Sequence, residues 1–167
     1  MHEITQKIID LLKSKNLPFE MFEHEPTPTS ATAAQVRAQR TGETAEEVLS
    51  RGAKAMVMRS KDQYFQMVLS SNTKINYKKA KQVLGVKRVS LATAEQVLQV
   101  TGCQVGGVPP FGNLFGLKVY LDKRVTQNEI MDFNAGVQTV SMEMKVKDYI
   151  TAVQPEIADF ADPIGPR

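Results

Sequence analysis

A run of glycine and proline between residues 106 and 112 restricts the fold more than any other feature of this chain. The run reads Gly-Gly-Val-Pro-Pro-Phe-Gly, so five of its seven positions are glycine or proline, in a chain with only 10 Gly and 8 Pro. Proline fixes φ and removes a backbone donor, whereas glycine allows conformations closed to other residues. We therefore expect a rigid loop. Its remaining N–H groups suit a carbonyl or an oxyanion, although such runs are most often plain turns.

The composition limits the class of protein. A length of 167 residues, with 42% hydrophobic and 23% charged residues, is typical of one globular domain. No stretch approaches the roughly 18 apolar residues of a transmembrane helix, and the N-terminus lacks the basic and apolar regions of a signal peptide. Cys103 is the only cysteine, so no internal disulfide can form. We therefore expect a cytoplasmic protein with no membrane partner.

Basic residues are concentrated in the middle of the chain, although the net charge is only +3. Between residues 63 and 121, Glu95 is the only acid, and the basic residues there are Lys74, Lys78, Lys79, Lys81, Lys87, Arg88 and Lys118. This asymmetry favours a face that binds a polyanion. A solvated helix face is an equally good interpretation of the charge pattern alone.

Short helical and strand patterns alternate along the chain. Helices are predicted from Ile4 to Leu12, after Thr29 or Ser30, and at the capping patterns Thr44/Glu47, Asn76/Gly85, Thr93/Gln96 and Thr126/Glu129. Strands are predicted at 19–24, 53–59, 64–69, 86–89, 118–121, 133–135 and 139–144, the second and third forming a hairpin. The pattern predicts an α+β fold with a mixed sheet. We assign residues 1–153 to one domain and 154–167 to a C-terminal tail or linker stub.

Several kinds of catalytic site are not supported. Only His2, His24 and Cys103 offer soft metal ligands, and no two of them have a ligand spacing, so no metal or other cofactor is predicted. No G-x-S-x-G elbow, Walker loop or G-x-G-x-x-G motif is present. Cys103 has no obvious base beside it and is more typical of a small core residue. Catalysis would then depend on backbone donors, a lysine and the substrate itself.

Lys54 is the lysine that stands out, because it interrupts an apolar strand. It shares a face of that strand with Met56 and Met58 by two-residue alternation. Its ammonium group either extends to solvent at the start of the strand or points into a pocket.

The order and spacing of four segments resemble those of a known protein family. The segments are Gly52–Met58, Leu84–Thr93, Thr101–Gly112, and Phe133–Gly136 followed by Thr139-Val140. The chain resembles the YbaK/prolyl-tRNA-synthetase-associated domain family of aminoacyl-tRNA editing deacylases from about Phe19 to Tyr149. The resemblance implies a mixed, largely antiparallel curved sheet or barrel-like core flanked by short helices. It also implies hydrolysis of the ester of a mischarged tRNA, with alanyl- or cysteinyl-tRNA(Pro) as the expected substrate and prolyl-tRNA synthetase as a possible partner.

The resemblance also implies roles for particular residues. Lys54 is expected to position the terminal adenosine and its phosphate, and the N–H groups of Gly106 and Gly107 to hold the aminoacyl carbonyl in a loop shaped by Pro110. Water and the ribose hydroxyl of the substrate would supply the remaining chemistry. The residues expected to line the substrate pocket are Met56, Val68, Val105, Val108, Asn134 and Gly136.

A basic helix provides the expected contact with tRNA. The lysines in and just before it, Lys74, Lys78, Lys79 and Lys81, would bind acceptor-stem phosphates. Gln138 and Ala55 depart from residues found in some branches of the family, so no amino-acid specificity is transferred from it. Two other interpretations remain: a non-catalytic or appended domain that binds tRNA or a synthetase, and a protein that binds a small molecule or nucleotide with the same loop.

Overall fold

The helices and strands of the protein come from a computed structural model, which describes residues 2–26 and 30–164, with the side chains of residues 30–33 excepted. The helices are α1 (Glu3–Ser14), α2 (Ser30–Thr41), α3 (Ala45–Arg51), α4 (Tyr77–Leu84), α5 (Ala94–Thr101) and α6 (Val146–Val153). The strands are β1 (Glu20–Glu23), β2 (Ala53–Ser60), β3 (Gln63–Ser70), β4 (Thr73–Ile75), β5 (Ser90–Leu91), β6 (Lys118–Asp122), β7 (Ile130–Asn134), β8 (Val140–Lys145), β9 (Glu156–Ala158) and β10 (Ala161–Pro163).

The strands form three sheets, with orders β5-β2-β3-β6-β9, β1-β8-β7 and β10-β4. The first sheet is mixed, because β3 pairs with β6 and β6 pairs with β9 in parallel, whereas β2 pairs antiparallel with both β3 and β5. The predicted α+β class with a mixed sheet is confirmed. The five-stranded sheet of the described chain ends at β5 and β9, so it does not close into a barrel.

The main core lies between the five-stranded and three-stranded sheets and is covered by helices. The apolar stripe of α1 contributes Ile8 and Leu12, both fully buried. Val68 also belongs to this core, because it lies opposite Ala55 on the interior strand β3 and is fully buried. Val68 does not line the cavity described below, and its role in the substrate pocket stays a prediction.

Several helix ends lie at the capping residues predicted from the sequence. Thr44 and Thr93 each form a full capping box, and Gly85 ends α4 in the left-handed conformation with φ +69. A cap for α2 at Thr29 lies outside the described residues. The helix predicted from Thr126 does not form: only a short 3-10 turn, Val125–Gln127, fits before β7 begins. The strand predicted at 86–89 is displaced to β5, which is the part that pairs with β2.

The segment assigned to a C-terminal tail is packed against the protein as far as residue 164. Strand β9 pairs with β6, β10 pairs with β4, and Phe160 between them is fully buried. The buried carboxylate of Asp122 accepts hydrogen bonds from the N–H groups of Phe160 and Ala161, at 2.9 and 3.0 Å. Residues 156–163 of the segment assigned to a tail or linker stub are thus part of the folded structure. No helix in the described ranges is long and apolar enough to cross a membrane.

Candidate functional site

A cavity of about 320 Å³ opens beside the free edge of β2. It contains six of the residues predicted from the sequence: Lys54, Met56, Val105, Gly106, Val108 and Asn134. It also contains residues that were not predicted to belong to the site: Arg37, Ala53, Ala55, Val57, Ser71, Leu91, Ala92 and Val97. Lys54 and the Gly/Pro loop therefore border the same space, although 52 positions of sequence separate Lys54 from Gly106.

The cavity exists because β5 covers only part of β2. The two strands pair only at Met58 and Arg59, which leaves the first half of β2 without a neighbouring strand on that side. The carbonyl of Val57 points to this side, since it accepts a hydrogen bond from the N–H of Ala92 at 2.9 Å. Backbone groups alternate in direction along an antiparallel strand, so the N–H and carbonyl of Ala55 also face this edge. The cavity wall thus offers backbone donors and acceptors as well as side chains.

The ammonium group of Lys54 has no counter-charge of its own. Lys54 is half-buried and makes no hydrogen bond or ion pair within the described residues, and burial lowers its pKa below the usual value. None of the described residues that line the cavity is acidic, whereas Arg37 adds a second cation. A site with two cations and no acid favours an anionic ligand, because such a ligand offsets the cost of burying the charges.

Gly106 is the glycine of the loop that lines the cavity. Its φ of +89 is in the left-handed region, which strongly favours glycine. Its carbonyl accepts a hydrogen bond from the side-chain amide of Asn134, and its N–H has no acceptor among the described residues. Gly106 therefore keeps a fixed orientation and one spare donor.

Gly107 does not offer a second donor. Its N–H bonds to the carbonyl of Gln104 at 2.9 Å, and the residue is buried. A Cβ atom at this position would lie 3.1 Å from the Cα of Val137, so glycine is needed here for close packing. The prediction that the Gly107 N–H holds the substrate carbonyl is wrong, because the turn itself uses that group.

The proline end of the loop is anchored from below. Gln66 spans it, donating to the carbonyl of Pro109 at 2.9 Å and accepting from the N–H of Gly112 at 2.7 Å. The hydroxyl of the buried Tyr149 donates to the carbonyl of Pro110. Pro110 is itself buried and does not line the cavity, so its predicted part in catalysis can only be indirect, through the shape of the loop.

Arg37 connects the loop to the three-stranded sheet. Its Nη2 donates to the Oδ1 of Asn134 at 3.2 Å and to the Oγ of Ser141 at 2.8 Å. His24 also contacts the Ser141 hydroxyl, at 2.6 Å from its Nε2. Burial lowers the pKa of Arg37, an effect that the nearby charge of Asp132 opposes. The amide of Asn134, a predicted substrate-binding residue, is thus occupied by Arg37 on one side and Gly106 on the other.

Carboxyl groups crowd the same face of this sheet. Glu143 lies opposite Asp132 on β7 and opposite Glu20 on β1. Burial, together with hydrogen bonding and repulsion from Asp132, raises the pKa of Glu143 to about 7. Arg51 binds Asp132 Oδ2 at 2.9 Å, while Asp132 Oδ1 is buried without a hydrogen-bond partner in the described structure. A proton held by Glu143 would satisfy that oxygen.

Gly136 and the four lysines predicted to bind tRNA also lie outside the cavity. Gly136 is buried with φ +102, and a Cβ there would lie 2.9 Å from the side chain of Ile4, so the glycine allows close packing against α1. Lys79 is 3.3 Å from Asp159 and 3.8 Å from Asp162, which reduces its availability to a tRNA phosphate. The other three lysines are Lys74, Lys78 and Lys81, of which the first two are exposed.

Cys103 packs as a core residue. It is 1% exposed, and burial raises the pKa of its thiol. The described residues hold no group of three His, Cys, Asp or Glu side chains that could bind a metal ion.

Comparison with known proteins finds similarity over most of the chain. The family model of the aminoacyl-tRNA editing domain matches residues 24–152. The multifunctional Ser/Thr-tRNA deacylase ProXp-y of Escherichia coli (strain K12) is 28% identical over 160 residues, which are 93% of this chain and 91% of that protein. The uncharacterized protein YwhH of Bacillus subtilis (strain 168) is 31% identical over 138 residues, 82% of this chain and 87% of that one.

A solved structure supports the fold. The crystal structure of a candidate trans-editing enzyme for prolyl tRNA synthetase superposes with a TM-score of 0.79 at 21% identity, covering 97% of this chain and 99% of that one. This likeness concerns the arrangement of helices and strands.

Proposed function

The chain belongs to the aminoacyl-tRNA editing domain family, and from this membership we propose that it is a trans-editing deacylase that hydrolyses the ester of a mischarged tRNA. The observation that carries the proposal is the meeting of Lys54 and Gly106 at one cavity. One residue offers an unpaired cation, and the other offers a spare N–H in a fixed loop. An aminoacyl ester on a phosphorylated nucleoside needs both kinds of group.

In this proposal, Lys54 binds the phosphate of the 3′-terminal nucleotide. The phosphate supplies the counter-charge that the half-buried ammonium lacks. The N–H and carbonyl at the free edge of β2 are available to the nucleoside or to the amino group of the substrate. The volume of about 320 Å³ is near the lower end for ligand pockets, which suits the end of a tRNA entering from outside rather than an enclosed free ligand.

Hydrolysis proceeds by attack of water on the ester carbonyl. The carbonyl oxygen becomes negative and is held by the N–H of Gly106, which is already in place; one such donor contributes about 2.7–4 kcal/mol of transition-state stabilisation. The bond between the carbonyl carbon and the ribose oxygen then breaks, and that oxygen takes a proton. Since no His, Cys, Asp or Glu lines the described cavity, the water and the neighbouring ribose hydroxyl carry the proton.

The amino acid removed is proposed to be small. The wall of the cavity includes Ala53, Ala55 and Val57, which leave room for a short side chain. Alanine and cysteine fit such an apolar wall, as expected for tRNA(Pro), and the Escherichia coli relative is named for serine and threonine. Ser71 is the lining residue whose hydroxyl makes no hydrogen bond in the described structure, so it can bind a substrate hydroxyl.

A panel of charged tRNAs tests the proposal. Wild-type protein should deacylate at least one of alanyl-, cysteinyl-, seryl- and threonyl-tRNA and spare prolyl-tRNA(Pro). Lys54→Ala should lose this activity, whereas Lys13→Ala, which removes an exposed lysine of α1, should retain it. If the wild-type protein hydrolyses none of the four charged tRNAs, the proposal is refuted for these substrates. Binding of tRNA without hydrolysis would instead support a non-catalytic domain, and full activity of Lys54→Ala would refute the site.

We also propose that the protein binds prolyl-tRNA synthetase, as a second partner besides the tRNA. Co-sedimentation of the two purified proteins, with and without tRNA(Pro), measures it directly. Separate migration under both conditions would refute the association and leave the hydrolytic proposal intact.

A further inference from the structure

A second depression adjoins the cavity along β2 and β5. Its lining residues are Arg59, Ser60, Lys61, Arg88, Val89 and Ser90, and we call it the basic groove. The charge pattern of the sequence did not single it out, because Arg59 and Lys61 belong to the hairpin while Arg88 precedes β5. The fold brings them together by pairing Arg59 with Ser90.

The cations of the basic groove are available to a ligand. None of its lining residues is acidic, and Arg59, Lys61 and Arg88 form no ion pair within the described residues. Asp62, in the hairpin turn, is exposed and is not part of the lining. The Nε of Arg59 donates to the carbonyl of Lys61 at 2.7 Å, which holds the guanidinium near the turn.

Several basic residues elsewhere are paired, and Lys74, Lys78 and Lys81, which form no ion pair within the described residues, line neither the cavity nor the basic groove. Lys79 and Lys123 both contact Asp159 at 3.3 Å, and Lys118 is 3.7 Å from Glu156. Lys79 and Lys118 belong to the basic segment between residues 63 and 121, and Lys79 is one of the lysines predicted to bind tRNA. The groove is therefore the stronger local concentration of unpaired positive charge beside the cavity.

The position of the groove points to what it would bind. Strand β2 contributes Val57 to the cavity and Arg59 to the groove, a separation of about 7 Å along the strand. Strand β5 contributes Leu91 to the cavity and Ser90 to the groove, and Leu91 is 44% exposed. A chain whose last unit occupies the cavity would pass this groove with its preceding units.

We propose that the basic groove binds the single-stranded 3′ end of the tRNA through its backbone phosphates and so directs the terminal nucleotide into the cavity. The proposal rests on the deacylase function above. Grooves of positive charge that follow the backbone are the usual way to bind single strands, and guanidinium groups match phosphate geometry. Phosphate contacts set position without reading sequence, which suits a 3′ end common to all tRNAs.

Binding of a labelled single-stranded RNA that ends in CCA tests the groove without requiring hydrolysis. Fluorescence anisotropy would compare wild type with the double variant Lys61→Gln/Arg88→Gln at several salt concentrations. The matched control is Lys13→Gln/Lys15→Gln, which removes the same charge from exposed positions at the C-terminal end of α1. Losing two phosphate contacts should weaken binding by on the order of tenfold near 0.1 M salt and reduce the slope of log K against log salt by about 1.4.

The control variant should bind the single strand as wild type does. Equal binding by wild type and the groove variant, or equal losses in the two double variants, would overturn the proposal. Deacylation of charged tRNA by the same proteins distinguishes a failure of the deacylase proposal from a failure of the groove proposal. If the wild-type protein shows no hydrolysis, the deacylase proposal is refuted. If the groove variant has the same rate of hydrolysis and the same KM as wild type, only the groove proposal is refuted. If both proposals hold, the variant should show a raised KM with an unchanged kcat.

Discussion

Substitution of Asn134 provides a sharp test of how the loop is held. Asn134→Ala removes the hydrogen bond that fixes the Gly106 carbonyl and the 3.2 Å bond from Arg37. With about 1 kcal/mol for the first and about 1.5 kcal/mol for the charge-assisted second, unfolding should become easier by about 2.5 kcal/mol. For a chain of this length, that lowers Tm by roughly 5–10 °C.

The effect on catalysis should be larger than the loss of stability suggests. A Gly106 peptide that is free to rotate no longer aims its N–H at the oxyanion, and loss of such a donor costs about 10²–10³ in kcat. We expect a fall in kcat of at least tenfold in single-turnover deacylation, because some loop conformers stay aligned. Amide hydrogen exchange of residues 105–108 should accelerate in parallel.

Two further variants separate the loop from general stability. Asn134→Asp keeps an acceptor for Arg37 but cannot donate to the Gly106 carbonyl, so kcat should fall while Tm falls less than in the alanine variant. Ser141→Ala removes the other partner of Arg37, at 2.8 Å, without touching the loop, so Tm should fall and kcat should be retained. Wild-type kcat and exchange in both Asn134 variants would refute the reasoning.

Three other substitutions follow from the charges of the structure. Lys54→Met should abolish hydrolysis and raise Tm in a thermal melt, because burial disfavours the unpaired ammonium; a lower Tm would contradict this. The raised pKa of Glu143, about 7, means that the folded protein binds a proton more tightly than the unfolded chain, so the free energy of unfolding should fall as pH rises from about 4.5 to 7. Glu143→Gln should flatten that dependence in urea titrations, and an unchanged profile would exclude this residue as its source. Asp122→Ala should cost about 3–5 kcal/mol and speed hydrogen exchange at residues 159–163, since it leaves the buried N–H groups of Phe160 and Ala161 unpaired; protected amides there would refute the anchoring role.

Local signals in the sequence predicted the elements whose causes are local. The hairpin of β2 and β3 follows from alternation about a four-residue turn, and the capping boxes at Thr44 and Thr93 follow from spacing of three residues. Strands β9 and β10 were missed because each has three residues and depends on distant partners. Short strands of this kind carry no periodic signal of their own.

Local signals also predicted part of the candidate site. Lys54 and Gly106 were recognisable because a charge within an apolar strand and a glycine-rich loop are unusual locally. Arg37 was missed, since an arginine in a polar helix is ordinary until the fold buries it against Asn134. The signal available in the sequence was its helical spacing from Ala34 and Ala38, which places the three residues on one face of the helix, and the structure shows that this face is buried. Gly107 shows the converse: its residue type was informative, but only the turn geometry reveals that its N–H is used.

The central claim is that Lys54 and Gly106 hold the aminoacylated end of the substrate in one cavity. An aminoacyl-adenosine monophosphate with an amide in place of the ester cannot be hydrolysed and can be titrated into isotope-labelled protein. Nuclear magnetic resonance spectra should show the largest shifts at the Gly106 amide and the Lys54 ammonium, both saturating at one dissociation constant. Saturable shifts confined to the separate depression around residues 136–139, with Gly106 and Lys54 unmoved, would contradict the claim.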